Sequence, residues 1–309
     1  MERTMPESVV TASVLNRLDL KTLRLFALIC EEGTLNGAAR RAAIAPSAVS
    51  KRLAEMERAL GCELLTREPR GMRPTPAGET LLHHTRRMLA GAEQIALELA
   101  EHARGARGFV RVLANLSAIV QFLPEDLQAF LAVQPGIRVE LEERPSHAVA
   151  TGIAEGAADL GICAGGRGTD QLLAYPYRND RLVLVVPSTH PLAERAGVAL
   201  SEILDHDHVG LHRESSIHAA LNAEARRLGR PLRLRIHVPG FDAICRMAQA
   251  GMGLGVVPER VHAILGPQMG LAAVPLTDAF ARRTLELVVR PGVLPPAAAL
   301  LLEHLRGPD

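Results

Sequence analysis

The apolar positions of the chain fall into three rhythms. Leu20, Leu23, Phe26, Ala27 and Cys30 recur at steps of three and four, which places them on one helix face. Asp19 stands where an N-cap belongs, and Gly33 where a helix stops. Thr34 can cap a second short helix, LNGAARRAA, whose alanines allow another helix to come close. Ile44 and Ala45 make a turn, and Pro46 suits a first helical position because its missing N–H would be unpaired there anyway. A third helix runs through SAVSKRLAEMERAL, with Val49, Leu53, Met56 and Leu60 inward and Gly61 ending it. The second rhythm is proline-free. Leu81, Thr85, Met88, Ala92, Ile95 and Leu99 alternate steps of four and three, a heptad-like seam on a helix of about 28 residues. Such a helix is too long to bury its stripe in one small domain, so the pattern predicts pairing with a second copy. Packing on its own chain is the alternative.

From Phe109 onward the period changes again. FVRVLAN, IRVELEER, DLGICA, LLAYPY, RLVLVVP, DHVGLH, RLRIHV and LGVVP read as strands. SAIVQFLPEDLQAFLAVQP, SHAVATGIAEGAA, SIHAALNAEARRLG and FDAICRMAQAGMG read as helices. Alternation of this kind predicts an α/β architecture with largely parallel strands. The expected layout is an N-terminal extension at 1–18, a small helical domain at 19–76, a linker helix at 77–108 and an α/β domain at 109–309. In the last, subdomain I takes about 109–178 and 268–304, and subdomain II about 179–267. The chain is expected to cross near Arg178–Arg181 and to return near Gly266–Gly270.

Composition removes some classes of function. The 309 residues suffice for two or three domains, and 48% are apolar. No uncharged apolar run reaches about 18 residues, so no membrane span is expected. The opening MERTMPESVVTASVLNRLDL is charged and lacks the apolar core of a signal peptide. Cys30, Cys62, Cys163 and Cys245 form no CxxC pair and read as reduced thiols of a cytoplasmic protein. The net charge of +1 hides a local excess: from Gly33 to Pro76 there are eight basic and four acidic residues.

That excess sits on a helix-turn-helix. Ser47, Ser50, Lys51 and Arg52 lie near the start of the third helix, outside its apolar face. A helix entering the major groove meets base edges and phosphates there. Next comes LLTREPRGMRPTPAG, with Arg67, Arg70 and Arg73 around Gly71, a basic hairpin beside the recognition helix. A solvated helical hairpin is the plainer alternative; the order of elements and the local charge favour DNA. The candidate DNA-binding residues are Thr34, Arg41, Ser47, Ala48, Ser50, Lys51, Arg52, Arg67, Arg70, Arg73 and Thr75.

The stretch GTLNGAARRAAIAPSAVSKRLAEMERALGCELLTREPRGMRPTPAGETLL resembles the winged helix-turn-helix of LysR-type transcriptional regulators. The likeness rests on the alanines at 38–39, SAVS at 47–50, the Leu-Gly pair at 60–61, Arg67 and TPAG at 75–78. Two departures stand out. Ala45-Pro46 occupies a place where the family often has Ser-Gln, which gives up a serine cap worth about 1 kcal/mol and a possible base-reading glutamine. Leu65-Thr66 stands where an aromatic usually precedes the wing arginine. Farther on, ADLGIC, VVPSTHPLA and AGMGLGVVPE resemble the LysR effector-binding domain, which is related in fold to periplasmic binding proteins. The resemblance covers essentially everything after about residue 19. It implies an α/β protein with an N-terminal all-α winged helix-turn-helix, a long linker helix and a two-subdomain, periplasmic-binding-protein-like effector domain. It also implies double-stranded DNA as partner, a homodimer through the linker helix and, beyond it, a homotetramer, with a small-molecule effector and no cofactor, metal or membrane.

In open α/β sheets, ligands bind beyond the carboxyl ends of strands, in the crevice between subdomains. Asn115, Ser117, Ser146 and Ala164 are expected there in the first subdomain, and Ser215, Ser216, Phe241 and Asp242 in the second. Serines at helix starts leave backbone N–H groups free for an anion, or they act only as caps. Several such junctions around one cleft favour a small anionic or polar effector. Three other signals carry less. Gly251, Gly253 and Gly255 follow a helix and precede a strand, the reverse of a dinucleotide fingerprint. The DHDH run at 205–208, with His212 nearby, lacks a spaced ligand set and reads as a polar loop. Cys163 ends a strand near the cleft but has no neighbouring cation to activate it, so a buried small hydrophobe is the better reading than a redox switch. An enzyme fused to a DNA-binding module would need a nucleophile–base pair or metal set, and neither is visible. A transport module predicts a secretory signal and no helix-turn-helix.

Overall fold

The structure is a computed structural model that describes residues 18–68, 71–103, 108–165, 169 and 171–307. The expected N-terminal extension lies almost wholly outside these residues, and Arg70 lies outside them. The chain forms two compact units, divided near residue 100.

The first unit holds α1 (Leu20–Glu32), α2 (Leu35–Ala42), α3 (Pro46–Leu60), the hairpin strands β1 (Leu65–Glu68) and β2 (Gly71–Pro74), and α4 (Pro76–Ala103). Local chemistry sets the helix ends. The Asp19 carboxylate accepts from the backbone N–H groups of Lys21 and Thr22 and from the Thr22 hydroxyl. Those bonds, with Arg52 nearby, hold it below the usual carboxylate range against the opposing effect of burial. Thr34 Oγ1 accepts from Gly37 N–H at 3.0 Å and caps α2. The N-cap of α3, Ala45, makes no side-chain bond, and Pro46 follows it. Leu23, Phe26, Ile29, Ala38, Ala39, Val49, Leu53, Met56, Leu64 and Leu82 make the core.

Leu82 comes from α4, which divides the expected seam. Thr85 is fully buried, and Leu81 and Leu89 pack on the same core, so the first turns of α4 belong to this unit. Assigning Leu81 and Thr85 to a seam with a second chain is therefore corrected. Met88 and Ile95 are 49% and 61% exposed. The side chain of Leu99 lies outside the described residues.

The second unit contains the strands β3 (Gly108–Ala114), β4 (Ile137–Glu143), β5 (Leu160–Ala164), β6 (Leu173–Pro187), β7 (His208–Leu211), β8 (Leu234–Val238), β9 (Leu254–Pro258), β10 (Leu271–Pro275) and β11 (Arg282–Val289). Their order is β4-β3-β5-β11-β6-β9-β7-β8, with β10 also on β6. The helices are α5 (Leu116–Gln121), α6 (Leu123–Val133), α7 (Ser146–Glu155), α8 (Leu200–Ile203), α9 (Ser216–Arg227), α10 (Phe241–Gln249), α11 (Glu259–Leu265) and α12 (Pro296–Arg306).

Two cores define two subdomains. One gathers Val110, Val112, Phe130, Ile162, Tyr177, Leu285, Leu287 and Leu301. The other gathers Leu182 to Val186, Val209, Ile217, Phe241, Ile244, Val257 and Val274. LLAYPY and RLVLVVP, expected as two strands, form the single strand β6. Its first half pairs with β11 up to Arg181, and its second half pairs with β9 from Leu182. The return also differs from expectation. β10 pairs with β6 inside the second subdomain, and Leu271, Val274, Leu276 and Ala281 belong to the second core. The chain therefore re-enters the first subdomain at Arg282, not near Gly266–Gly270. The helix expected over SAIVQFLPEDLQAFLAVQP is broken at Phe122, ahead of Pro124. Proline has no N–H to donate, and its ring crowds the carbonyl four residues back.

Candidate DNA-binding surface and effector cleft

On the first unit, Ser47, Ser50, Lys51 and Arg52 are exposed along the start of α3. Ala48 is half-buried and lines a recess of about 320 Å³ with Asp19, Thr22, Lys51, Arg52, Glu55 and Met56. Not all of these cations are equally free. Arg52 Nη1 donates to Thr22 Oγ1 at 3.1 Å and lies 3.7 Å from Asp19. Arg41 is held by Glu31 at 2.8 Å and Glu32 at 3.1 Å. Arg73 pairs with Glu68 at 3.2 Å. Lys51 and Arg67 have no ion pair among the described residues. In the wing, Arg67 and Arg73 are exposed, and Met72 N–H donates to the Gly33 carbonyl at 2.7 Å, which docks the hairpin on the end of α1. Glu57 Oε1 accepts from Leu64 N–H and so turns away from a solvated face to hold the wing's entry.

Thr34 is exposed, and its hydroxyl keeps its own proton while accepting from Gly37. Thr75 is different. Its hydroxyl donates to Glu63 O at 2.8 Å and accepts from Gly78 N–H at 3.0 Å. It is a cap for α4 with its donor spent, which corrects its expected place among the DNA-reading groups.

In the second unit, a cleft between the subdomains is lined by Asn115, Leu116, Ser117, Glu143, Arg144, Pro145, Ser146, Leu211, His212, Ser215 and Ser216. It holds only about 20 Å³, close to the room one water needs. Asn115 Oδ1 accepts from Ala118 N–H at 2.9 Å, and its amide donates to Ser146 Oγ at 3.0 Å. Ser146 Oγ also accepts from Ala164 N–H at 3.2 Å. Across the cleft, Ser215 Oγ caps α9 by accepting from Ile217 N–H at 3.2 Å. Five of the eight expected positions, Asn115, Ser117, Ser146, Ser215 and Ser216, thus meet around one opening, and Ala164 reaches it only through its N–H bond to Ser146 without lining it. Phe241 and Asp242 do not. Phe241 is buried in the second core, and Asp242 is exposed without lining the cleft.

Two residues that sequence reasoning missed lie directly behind the serines. Arg283 donates from Nη2 to Ser117 Oγ at 3.1 Å and from Nη1 to Ser216 Oγ at 3.4 Å, and it pairs with Asp180. Only the pairing of distant strands brings these groups together, so no local pattern marks them.

The remaining candidates resolve simply. Cys163 is buried, and burial, with Glu286 adding to it, pushes its thiol up to about 12, far from a reactive thiolate. In the DHDH loop, Asp205 pairs with Arg230, Asp207 pairs with Arg235 and His208 is buried. Among the described residues, no helix is long and apolar enough to cross a membrane.

Comparison with known proteins gives consistent matches. Residues 20–79 match the family described as bacterial regulatory helix-turn-helix protein, lysR family, and residues 103–307 match the LysR substrate binding domain. An uncharacterized transcriptional regulator of Escherichia coli, YbhD, is 26% identical over 285 residues, 91% of this chain and 88% of its own. A probable RuBisCO transcriptional regulator of Trichormus variabilis is 27% identical over 281 residues, 88% of this chain and 82% of its own. The crystal structure of CbnR, a LysR family transcriptional regulator, gives a TM-score of 0.65 at 22% identity over 94% of this chain and 98% of that one. CbnR is also known in complex with its target DNA. The regulatory domain of CcmR from Synechocystis, in complex with 2-PG, gives 0.60 at 20% identity over 65% of this chain and 96% of that one. At these identities the two solved structures speak for the fold alone.

Proposed function

The chain belongs to the LysR family of DNA-binding transcriptional regulators, a family of regulators and not of enzymes, and on that premise we propose that it switches transcription in response to a small anionic or polar effector held between its two α/β subdomains. The observation that carries this reading is the cleft lining, in which hydroxyl and amide groups of Asn115, Ser117 and Ser146 face Ser215 and Ser216. The starts of α7 and α9 meet at the same opening. Backbone N–H groups at helix starts suit a negative group, and neutral hydroxyls give it orientation. Ser47, Ala48, Ser50, Lys51 and Arg52 would meet the major groove, with Arg67 and Arg73 on the flanking backbone. The exposed positions Met88 and Ile95 of α4 would pair with a second chain in a homodimer, and further contacts would complete a homotetramer. The protein would work in the cytoplasm, where its DNA is.

The test begins with mapping the DNA that the protein binds in its own cell. The genes beside those sites name candidate metabolites, which are then titrated into the full chain by calorimetry. Ser146→Trp fills the cleft and should abolish binding of the metabolite that binds the wild type. Wild-type affinity in Ser146→Trp would place the effector elsewhere.

A further inference from the structure

Where β6 and β11 pass together between the subdomains, Asp180 lies directly opposite Arg283 in antiparallel register, and the two side chains form an ion pair. Their side chains are only 1% and 8% exposed. From this floor position the guanidinium touches both walls of the cleft, Ser117 on one subdomain and Ser216 on the other. Burying such a pair is unfavourable unless the remaining donors and acceptors are also satisfied. Here they are not. Among the described residues, Arg283 Nε and Asp180 Oδ1 are buried without a hydrogen-bond partner. The contact to Ser216, at 3.4 Å, is at the long end for a hydrogen bond. The guanidinium thus spends its cleft-side donors on two neutral hydroxyls, weaker acceptors than a carboxylate.

Resting on the cleft reading above, we propose that Arg283 selects the effector and that what it selects is a single carboxylate, which takes the places of Ser117 and Ser216 on the guanidinium. The planar fork of arginine matches a carboxylate with two parallel bonds. Charge counting points to one negative group. Asp180 already neutralises the buried cation, so a monoanion leaves one uncompensated charge for the starts of α7 and α9 to stabilise. A dianion would leave two. The charged or titratable groups that line the cleft are Glu143, Arg144 and His212, and Arg144 is held by Glu142 at 2.5 Å. Space points the same way. The cleft is too small for an organic acid as it stands, so its walls must part. Releasing the Arg283–Ser216 bond frees the wall that carries α9.

The test uses the full chain and a panel of short aliphatic and aromatic monocarboxylates. Each is paired with its carboxamide and set beside dicarboxylates and inorganic phosphate. Thermal shift finds binders, and calorimetry gives affinities. A monocarboxylate should bind and its amide should not. Arg283→Gln should weaken that acid by roughly ten- to a hundredfold, the worth of a bond to a charged group. Asp180→Asn, which leaves the guanidinium unshared, should tighten it severalfold. Ser146→Trp should abolish binding. An amide that binds as well as its acid overturns the proposal, as does a panel in which only phosphate or dicarboxylates bind, or none. Wild-type affinity in Arg283→Gln with binding lost in Ser146→Trp keeps the cleft and removes Arg283 as the selector. Wild-type affinity in both removes the cleft reading itself. Should Arg283→Gln fail to fold, Asp180→Asn decides alone: unchanged or weakened acid binding overturns the assignment.

Discussion

Replacing Gly71 by alanine should detach the wing while leaving the helices folded. Gly71 has a φ of 131°, a backbone setting that side chains rarely adopt, and a Cβ there would lie 2.4 Å from the Gly33 carbonyl oxygen. Carbon–oxygen contacts relax only near about 3.3 Å. The hairpin must therefore retreat by roughly an ångström, which breaks the 2.7 Å bond from Met72 N–H to that same oxygen. Backbone strain costs about 1–3 kcal/mol, and the lost bond costs about 1 kcal/mol more. The base of the hairpin stays anchored, because Leu64 and Leu65 are buried and Glu57 holds the Leu64 N–H. Stability should fall by about 2–4 kcal/mol in urea unfolding, the sum of those two terms. The control is Gly61→Ala. Gly61 also has a positive φ, 70°, but a Cβ there meets nothing within 4 Å, so only about 1 kcal/mol of left-handed strain applies. Binding to a nonspecific duplex is then followed by anisotropy across salt. Arg67 and Arg73 lose their placement in Gly71→Ala, so its log–log salt slope should shrink by up to about 1.8, at 0.9 per phosphate. The slope of Gly61→Ala should match the wild type. If the two variants are indistinguishable in both assays, the docked-wing reasoning is wrong. A stability loss with an unchanged slope would leave the wing docked but off the DNA.

On α3, Lys51→Ala should reduce the salt slope by about 0.9, and Arg52→Ala by less, because Thr22 and Asp19 already compete for that guanidinium; equal wild-type slopes in both would move the recognition helix elsewhere. Met88→Asp with Ile95→Asp should dissociate the assembly in sedimentation at unchanged helix content, since both side chains are exposed on α4; an intact oligomer would assign its contacts to other surfaces. His208 should make the second subdomain acid-sensitive. Burial holds its imidazole at about 4, and the backbone of His206 and Arg233 only partly offsets that burial. A folded-state value below the unfolded one means that protons favour the unfolded chain. Stability is therefore full above about pH 6.5 and lost as pH falls toward 4, by about 3 kcal/mol in all. His208→Leu should flatten that part of the urea-midpoint profile, and an unflattened profile would assign the acid sensitivity to other groups.

Legibility tracked how local each determinant is. Asp19, Gly33, Thr34, Pro46 and Gly61 act within a few residues of themselves, so the helix-turn-helix could be read directly, caps and turn included. The polar residues Arg178 to Asp180 looked like a break between two strands. They are instead the part of β6 that passes from one core to the other, where no apolar face is required. The elements after Glu259 were not read at all, and the return of the chain was placed too early for the same reason. β11 opens on two arginines and a threonine, which mask an apolar alternation that begins only at Leu285. In the cleft, the serines announced themselves by standing at helix starts. Asp180 and Arg283 did not, being charged residues in strands that become partners only when chain segments 103 residues apart pair in register.

Their position also fixes what the pair can do. β6 and β11 are the two segments that pass between the subdomains, and Asp180 and Arg283 face one another on them. A ligand bonded to Arg283 therefore acts where the two walls of the cleft are tied together through Ser117 and Ser216. Moving a two-state equilibrium from ten to one in favour of one arrangement to one to ten takes a hundredfold difference in affinity, about 2.7 kcal/mol. A bond between a carboxylate and a buried guanidinium supplies about 1.5–3 kcal/mol. One carboxylate on Arg283 is thus of the size needed to switch the subdomains. An effector that bound only the outer serines would draw mostly on neutral hydrogen bonds, each worth about 1 kcal/mol. It would occupy the cleft and shift the balance far less.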